Sequence, residues 1–198
     1  MNSIYIYGAS GHGLVVADIA RSCGYDEILY IDDGENQYPS FEEIKNRTDI
    51  PIALGVGVNA VRKKLFEKVN AAGFEIATLV HRSATISPSV TIGKGTVVMP
   101  HVVINANSVI GKGAILNTSC IIEHENIIGD FVHISPNAAL GGDVQVGELT
   151  HIGIGSSVIQ CLKIGSNCIV GAGSVVIHSI KNNTLCYGNP CKAVKELK

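Results

Sequence analysis

Tryptophan is absent from this chain, and only 5% of its 198 residues are aromatic. None of its six cysteines (Cys23, Cys120, Cys161, Cys168, Cys186, Cys191) forms a CxxC pair. With no leader pattern at the start, they predict reduced thiols in a cytoplasmic protein, not a disulfide framework. There is no block of like charge, and 15 basic against 17 acidic residues leave a formal charge of −2. That argues against a broad nucleic-acid or anionic-membrane footprint. No apolar run approaches the roughly 18 residues of a membrane span. Charged residues are scarce at 16% and apolar ones make up 46%, which excludes a disordered chain. What is abundant is glycine, 22 residues spread along the chain, the mark of regularly spaced turns.

The first 80 residues alternate strand and helix signals. Ile4 to Tyr7 is a β-prone run that ends in Gly8-Ala9-Ser10-Gly11-His12-Gly13. A helical pattern follows through Leu14, Val15, Ile19 and Cys23 and stops at Gly24. Glu27 to Ile31 is a second strand, closed by Asp32-Asp33-Gly34, and Phe41 to Lys45 a short helix. Pro51 to Leu54 is a third strand, followed by Gly55-Val56-Gly57. Asn59 stands where an N-cap belongs, ahead of a stripe of Val61, Leu65, Phe66 and Val69. Phe74 to Val80 reads as a fourth strand. The pattern predicts a small parallel sheet with covering helices over residues 1–80.

From Val80 the period changes. Every sixth residue up to Val176 is Val, Ile or Leu, without exception at 17 positions: 80, 86, 92, 98, 104, 110, 116, 122, 128, 134, 140, 146, 152, 158, 164, 170 and 176. Helices cannot hold a period of six, and this one is the hexapeptide repeat of a parallel β-helix. Each hexapeptide is a short strand and a turn, with the aliphatic inside. Three of them make one triangular coil, so residues about 18 apart stack in ladders. The ladder Gly93, Gly111, Gly129, Gly147, Gly165 predicts a corner with positive φ. Outward positions Val103, Ile121, Ala139 and Val175 form an apolar stripe suited to a subunit interface. Cys120 and Cys168 fill small-residue slots. The second unit spans 81–198 and includes a tail, from Asn182, that leaves the period.

Two motifs carry chemistry. The glycines between the first strand and helix let backbone N–H groups approach a phosphate at a helix N-terminus. Asp32 is placed to accept from a ribose or base. The order is G-x-x-G-x-G, so a nucleotide diphosphate leads, with a plain tight turn and a nicotinamide cofactor as alternatives. His124 follows a corner and projects outward, with Glu125 beside it to orient the ring. That is the pairing a general base requires. His133 and His151 interrupt the otherwise apolar ladder of Leu79, Val97, Ile115 and Ile169.

The repeat, GASGHG with Asp32-Asp33, Ile122-Glu123-His124-Glu125 and Gly188-Asn189-Pro190-Cys191-Lys192 together resemble the left-handed β-helix acyltransferases. Within them the likeness is to bacterial sugar acetyltransferases that act on UDP-4-amino sugars or on sialic acids. It spans essentially the whole chain. The resemblance implies an α/β unit followed by a left-handed β-helix, assembled as a homotrimer in the cytoplasm. It implies transfer of acetyl from acetyl-CoA to the amine of a nucleotide-linked amino sugar, with no metal. His124 and Glu125 would be catalytic. Gly8, Ser10, Gly11, His12, Gly13, Asp32, Asp33, Gly55, Asn59 and Arg62 would hold the sugar nucleotide. Asn117, His133, the Gly142 N–H, Gly171, Ala172, Gly173, Pro190 and Lys192 would meet acetyl-CoA. The alternatives are O-acetylation of a sialic-acid-type sugar, a non-catalytic nucleotide-sugar-binding trimer, and a metal-dependent hydratase built from His133, His151 and a neighbour's His124.

Overall fold

The structure is a computed structural model and describes residues 2–197. It opens with β1 (Ser3–Tyr7), α1 (Gly11–Ser22), β2 (Glu27–Ile31), α2 (Phe41–Ile44), β3 (Ile52–Leu54) and α3 (Asn59–Ala71). The strands form a parallel sheet in the order β2-β1-β3. The expected fourth strand is divided. Ile76 makes a single bridge to Ile52, and Leu79–Val80 already pairs with Val97–Val98 as the first rung of the repeat.

The rest is a left-handed parallel β-helix with three sheets as the sides of a prism. The first sheet starts at Leu79–Val80, the second at Thr85–Ile86 and the third at Thr91–Ile92, and each rung pairs with the residues 18 further on. Fourteen of the 17 periodic aliphatics, from Val98 to Val176, are buried inside, where a large aliphatic side chain contributes about 1.5–3 kcal/mol. Val80, Ile86 and Ile92 are half-buried because they lie in the first coil, with no coil beneath them. The tail strand Thr184–Gly188 continues the first sheet on Ile169–Val170, and Cys191–Glu196 returns antiparallel to it.

The glycine ladder has a different cause from the one expected. Its members do not have positive φ. A Cβ at Gly93, Gly111, Gly129, Gly147 or Gly165 would come under 3.0 Å from an atom of the next coil, so stacking requires glycine there. The left-handed conformation falls two residues later. From Gly95 to Gly173 every sixth residue has φ between 53° and 73°, most of them not glycine. Such a residue costs about 1–2 kcal/mol. In return its N–H points at the coil below, as in Glu125 N–H to Ala106 O (2.9 Å) and Asp143 N–H to His124 O (2.9 Å).

The two units share one core. Ile4, Ile6, Val16 and Ile19 lie in the same buried cluster as Leu79, Val97 and Ile104. Phe66 of α3 meets Phe131 edge-on at 5.3 Å. Arg62, 1% exposed, completes the joint. Its Nε–H donates to Gly113 O (2.7 Å), one terminal nitrogen to Gly57 O (3.0 Å) and Val56 O (3.3 Å), and the other to Phe131 O (2.9 Å) and Asn59 Oδ1 (2.9 Å). All five N–H groups are therefore engaged. Asn59 is not the N-cap, which is Val58; its amide donates to Leu149 O (2.9 Å) and Thr150 O (3.2 Å). Neither side chain is left for the sugar nucleotide, which corrects the expectation for Arg62 and Asn59.

Replacing Arg62 with Leu strands those carbonyls in a dry joint. The unfolding free energy from urea titration is expected to fall by about 2–4 kcal/mol. An unchanged midpoint would mean that the joint does not depend on the guanidinium.

Candidate active site

The nucleotide-type loop is built by mutual glycine packing. A Cβ on Gly8 or Gly55 would strike the other's strand end, and one on Gly13 would enter the Gly8 carbonyl. These three glycines are thus explained by close approach within the loop. Gly11 is different: a Cβ there would meet no described atom within 4 Å. Ser10 caps α1 in extended conformation, with its hydroxyl making no cap bond. The first-turn N–H groups of Gly11, His12 and Gly13 have no acceptor among the described residues, which leaves an anion site at a helix N-terminus.

Asp32 fastens this loop, accepting from Ala9 N–H (2.9 Å) and Gly34 N–H (2.9 Å). Asp33 is held on three sides, by Tyr7 OH (2.5 Å), Lys68 Nζ (2.8 Å) and Phe41 N–H (2.9 Å). Burial pushes its carboxyl up, but the bonds from Lys68, Tyr7 and Phe41 outweigh that and hold it below the usual range. Burial and the neighbouring Asp33 push the Tyr7 hydroxyl upward. Gly8, Asp32 and Asp33 line a cavity of about 190 Å³ with Tyr7 and Val56. Sequence reading missed Tyr7 and Lys68, because only the packing of α3 on β1 brings Lys68 to the end of β2.

His124 lies on the corner between the second and third sheets and is 59% exposed. Its Nδ1 is 3.0 Å from Glu125 Oε2. In the neutral ring this places the proton on Nδ1 and leaves Nε2 as an acceptor. One coil above sits Gly142, buried, whose N–H has no partner among the described residues. A Cβ added there would lie 2.5 Å from His124 Nε2 and 2.6 Å from Cε1. The imidazole thus occupies the space that a side chain at 142 would take.

Three other histidines, His12, His133 and His151, form a separate group. His133 stacks on His151 with centroids 4.6 Å apart and faces His12 at 6.5 Å. His133 Nε2 pairs with Asn117 Nδ2 (3.0 Å), and His151 Nε2 with Ser135 Oγ (2.8 Å). His12 Nε2 and His133 Nδ1 are buried without a partner among the described residues. Burial and the Arg62 charge lower His12 to about 4. Burial, then His151, Arg62 and His12, lower His133 to about 3. His133 and His151 line a cavity of about 480 Å³ with Gly57 to Ala60 at the start of α3. Among the described residues no three His, Cys, Asp or Glu side chains form a metal-holding group.

Of the expected acetyl-CoA residues, Asn117 and His133 are paired on the first sheet, and the 18-residue register stacks Asn117 in the ladder of Gly171. Only Gly142 meets His124. Gly171 to Gly173 turn the corner between the first and second sheets. The missing Cβ of Gly171 makes room for Tyr187 of the tail, and Gly173 is open. Pro190 and Lys192 are exposed in the tail hairpin. His12 of the Gly8–Gly13 loop faces His133 on the first sheet, whereas His124 lies on the corner between the second and third.

Residues 3–69 match the PglD N-terminal domain family. The acetyltransferase domain of PglB from Neisseria gonorrhoeae, solved with acetyl coenzyme A, is 37% identical, with 98% of this chain and 99% of that one covered and a TM-score of 0.91. The chain belongs to this family of β-helical sugar acetyltransferases. A variant of perosamine N-acetyltransferase from Caulobacter crescentus, solved with CoA and GDP-perosamine, is 33% identical over 98% of this chain and 97% of its own, with a TM-score of 0.93. UDP-N-acetylbacillosamine N-acetyltransferase of Bacillus subtilis is 35% identical over 114 residues, 50% of this chain and 52% of that protein. The match thus spans about half the length of this curated relative. No helix of the described residues is long and apolar enough to cross a membrane.

Two outcomes follow for this acetyltransferase fold. Gly142→Ala displaces only the free end of the His124 side chain. Its melting temperature is expected to stay within about 2 °C of wild type, while turnover falls at least about 10-fold, the expected cost of moving the His124 ring from its place beside Gly142. The buried histidines fold neutral, whereas in the unfolded chain they titrate near their ordinary value of about 6.5. Protons therefore bind the unfolded state first. The stability is complete above roughly pH 6.5 and falls toward about pH 4, by up to about 1.4 kcal/mol per pH unit per histidine. Urea titrations at neutral and acid pH measure the slope, which His12→Asn should flatten.

Proposed function

We propose that the protein transfers the acetyl group of acetyl-CoA to the 4-amino group of a UDP-linked deoxyamino sugar, in the cytoplasm, with His124 as general base. One observation carries this reading: Glu125 Oε2 holds Nδ1 of the His124 ring while Nε2, left as an acceptor, fills the space beside Gly142, whose own N–H has no partner among the described residues. The sugar amine attacks the thioester carbonyl and Nε2 accepts its proton. The Gly142 N–H donates to the oxyanion as it forms. Collapse of the adduct breaks the C–S bond, and the proton held by His124 goes to the departing CoA thiolate. Most of the acceleration comes from holding amine and thioester together.

The diphosphate lies on the free N–H groups at the start of α1, and the base end enters the cavity beside Asp32 and Asp33. Uridine is favoured by the Bacillus relative, whose name specifies a UDP sugar. Because the loop lies by the first sheet and His124 on the corner between the second and third, the reaction is assigned to a site between subunits of a homotrimer. The partner's corner at Gly173 and its His133 cavity would then face His124. Ile121, 39% exposed on the second sheet, belongs to that contact.

His124→Ala is expected to lower kcat by about 10²–10⁴-fold, with little change in the KM for acetyl-CoA. Thiol release is scored with acetyl-CoA and a panel of UDP-, GDP- and CMP-linked amino sugars and a free sialic acid. Turnover of the GDP-sugar alone moves the substrate to the other nucleotide; turnover of sialic acid alone replaces amine acetylation by O-acetylation.

A further inference from the structure

Four residues after each inward aliphatic, the β-helix has an inner slot, filled everywhere but at 126 by an apolar side chain, a cysteine or a hydroxyl residue. In Thr96, Ser108, Thr150 and Ser156 the hydroxyl bonds one carbonyl of the coil above, at Gly111 (2.7 Å), Glu123 (2.9 Å), Gly165 (2.7 Å) and Gly171 (3.0 Å). Asn126 breaks the pattern. It is 0% exposed and carries the one amide among these slots. Its Nδ2 reaches three carbonyls: Glu123 O (2.6 Å), Gly141 O (2.9 Å) and His124 O (3.3 Å). Its Oδ1 is buried with no donor among the described residues. A serine would avoid that unfavourable burial and still reach Gly141 O, as the other slots do. The local rule is thus broken at one corner, the one that carries His124, and such exceptions concentrate where geometry serves function.

The acceptors lie on both sides of one gap. Glu123 and His124 belong to the lower coil, and Gly141 precedes Gly142 in the upper one. We infer that Asn126 is a positioning residue for acetyl transfer, clamping the two coils so that the His124 imidazole stays at a fixed height in the space beside Gly142. The inference rests on His124 acting as the base. Asn126 touches neither substrate; it acts through the backbone that carries the ring.

The test compares Asn126→Ser, His124→Ala, the double variant and Thr96→Ala in the full-length protein. Asn126→Ser is expected to lower kcat about 10–100-fold, with both KM values within about 2-fold of wild type and the melting temperature not reduced. In the His124→Ala background the same change should alter kcat by less than about 2-fold, because no base remains to be positioned. Thr96→Ala removes a slot bond far from His124 and should leave kcat unchanged. If serine fails to fold, Asn126→Cys, the filling of the same slot at Cys120 and Cys168, is used with the same expectations. Wild-type kcat in Asn126→Ser beside an inactive His124→Ala overturns the clamp and leaves the base in place. An equal loss from Asn126→Ser with and without His124 makes the role general packing and also overturns it. Full turnover by His124→Ala overturns the base, and the clamp with it.

Discussion

The stacking of one coil on the next governs this molecule. Each rung bonds to the residues 18 positions on, so the register of the prism decides which side chains meet. It puts Gly142 above His124 and His151 above His133. It also stacks Gly113, Phe131 and Leu149, the left-handed corner residues whose carbonyls receive Arg62 and Asn59. A slip of one residue would turn the aliphatics outward and undo every one of these meetings. The energy that prevents it is the continuous apolar column inside, together with a corner N–H per hexapeptide that has its acceptor in the coil below.

That corner conformation also changes how strain should be read. Glu125 has φ of 62° beside the proposed base, and by itself this would suggest strain stored for catalysis. Corners without any chemical role show the same angle, from His101 to Asn167. The left-handed backbone belongs to the fold. What sets the His124 corner apart is the buried amide behind it and the absence of a side chain at Gly142.

The joint between the units is electrostatically unusual. Arg62 is buried with carbonyl and amide oxygens and no carboxylate, and burial lowers its pKa to about 9. Five oriented dipoles hold the charge in place of a counter-ion, an arrangement that works only while every N–H is engaged. The same charge helps keep His12 and His133 neutral. The docking of the α/β unit and the protonation of the histidines beside its loop are therefore linked through one side chain.

The sequence alone determined the repeat, its inward aliphatics, the strand–helix alternation before it, and the pairing of His124 with Glu125, because all of these are written in spacing along the chain. It also pointed to the Gly8–Gly13 loop and to Asp32, which the structure ties to Ala9. It misjudged the cause of the Gly93 ladder and the tasks of Arg62 and Asn59. It did not single out Tyr7, Lys68 or Asn126. Those roles depend on which surface packs on which, and no period within the chain records that. Lys68 reaches Asp33 only when α3 lies on the sheet, and Asn126 matters only because the coil above brings Gly141 within 2.9 Å. Local pattern decides which elements form; the tertiary structure decided what their side chains face, since contacts between distant residues are set by packing and register.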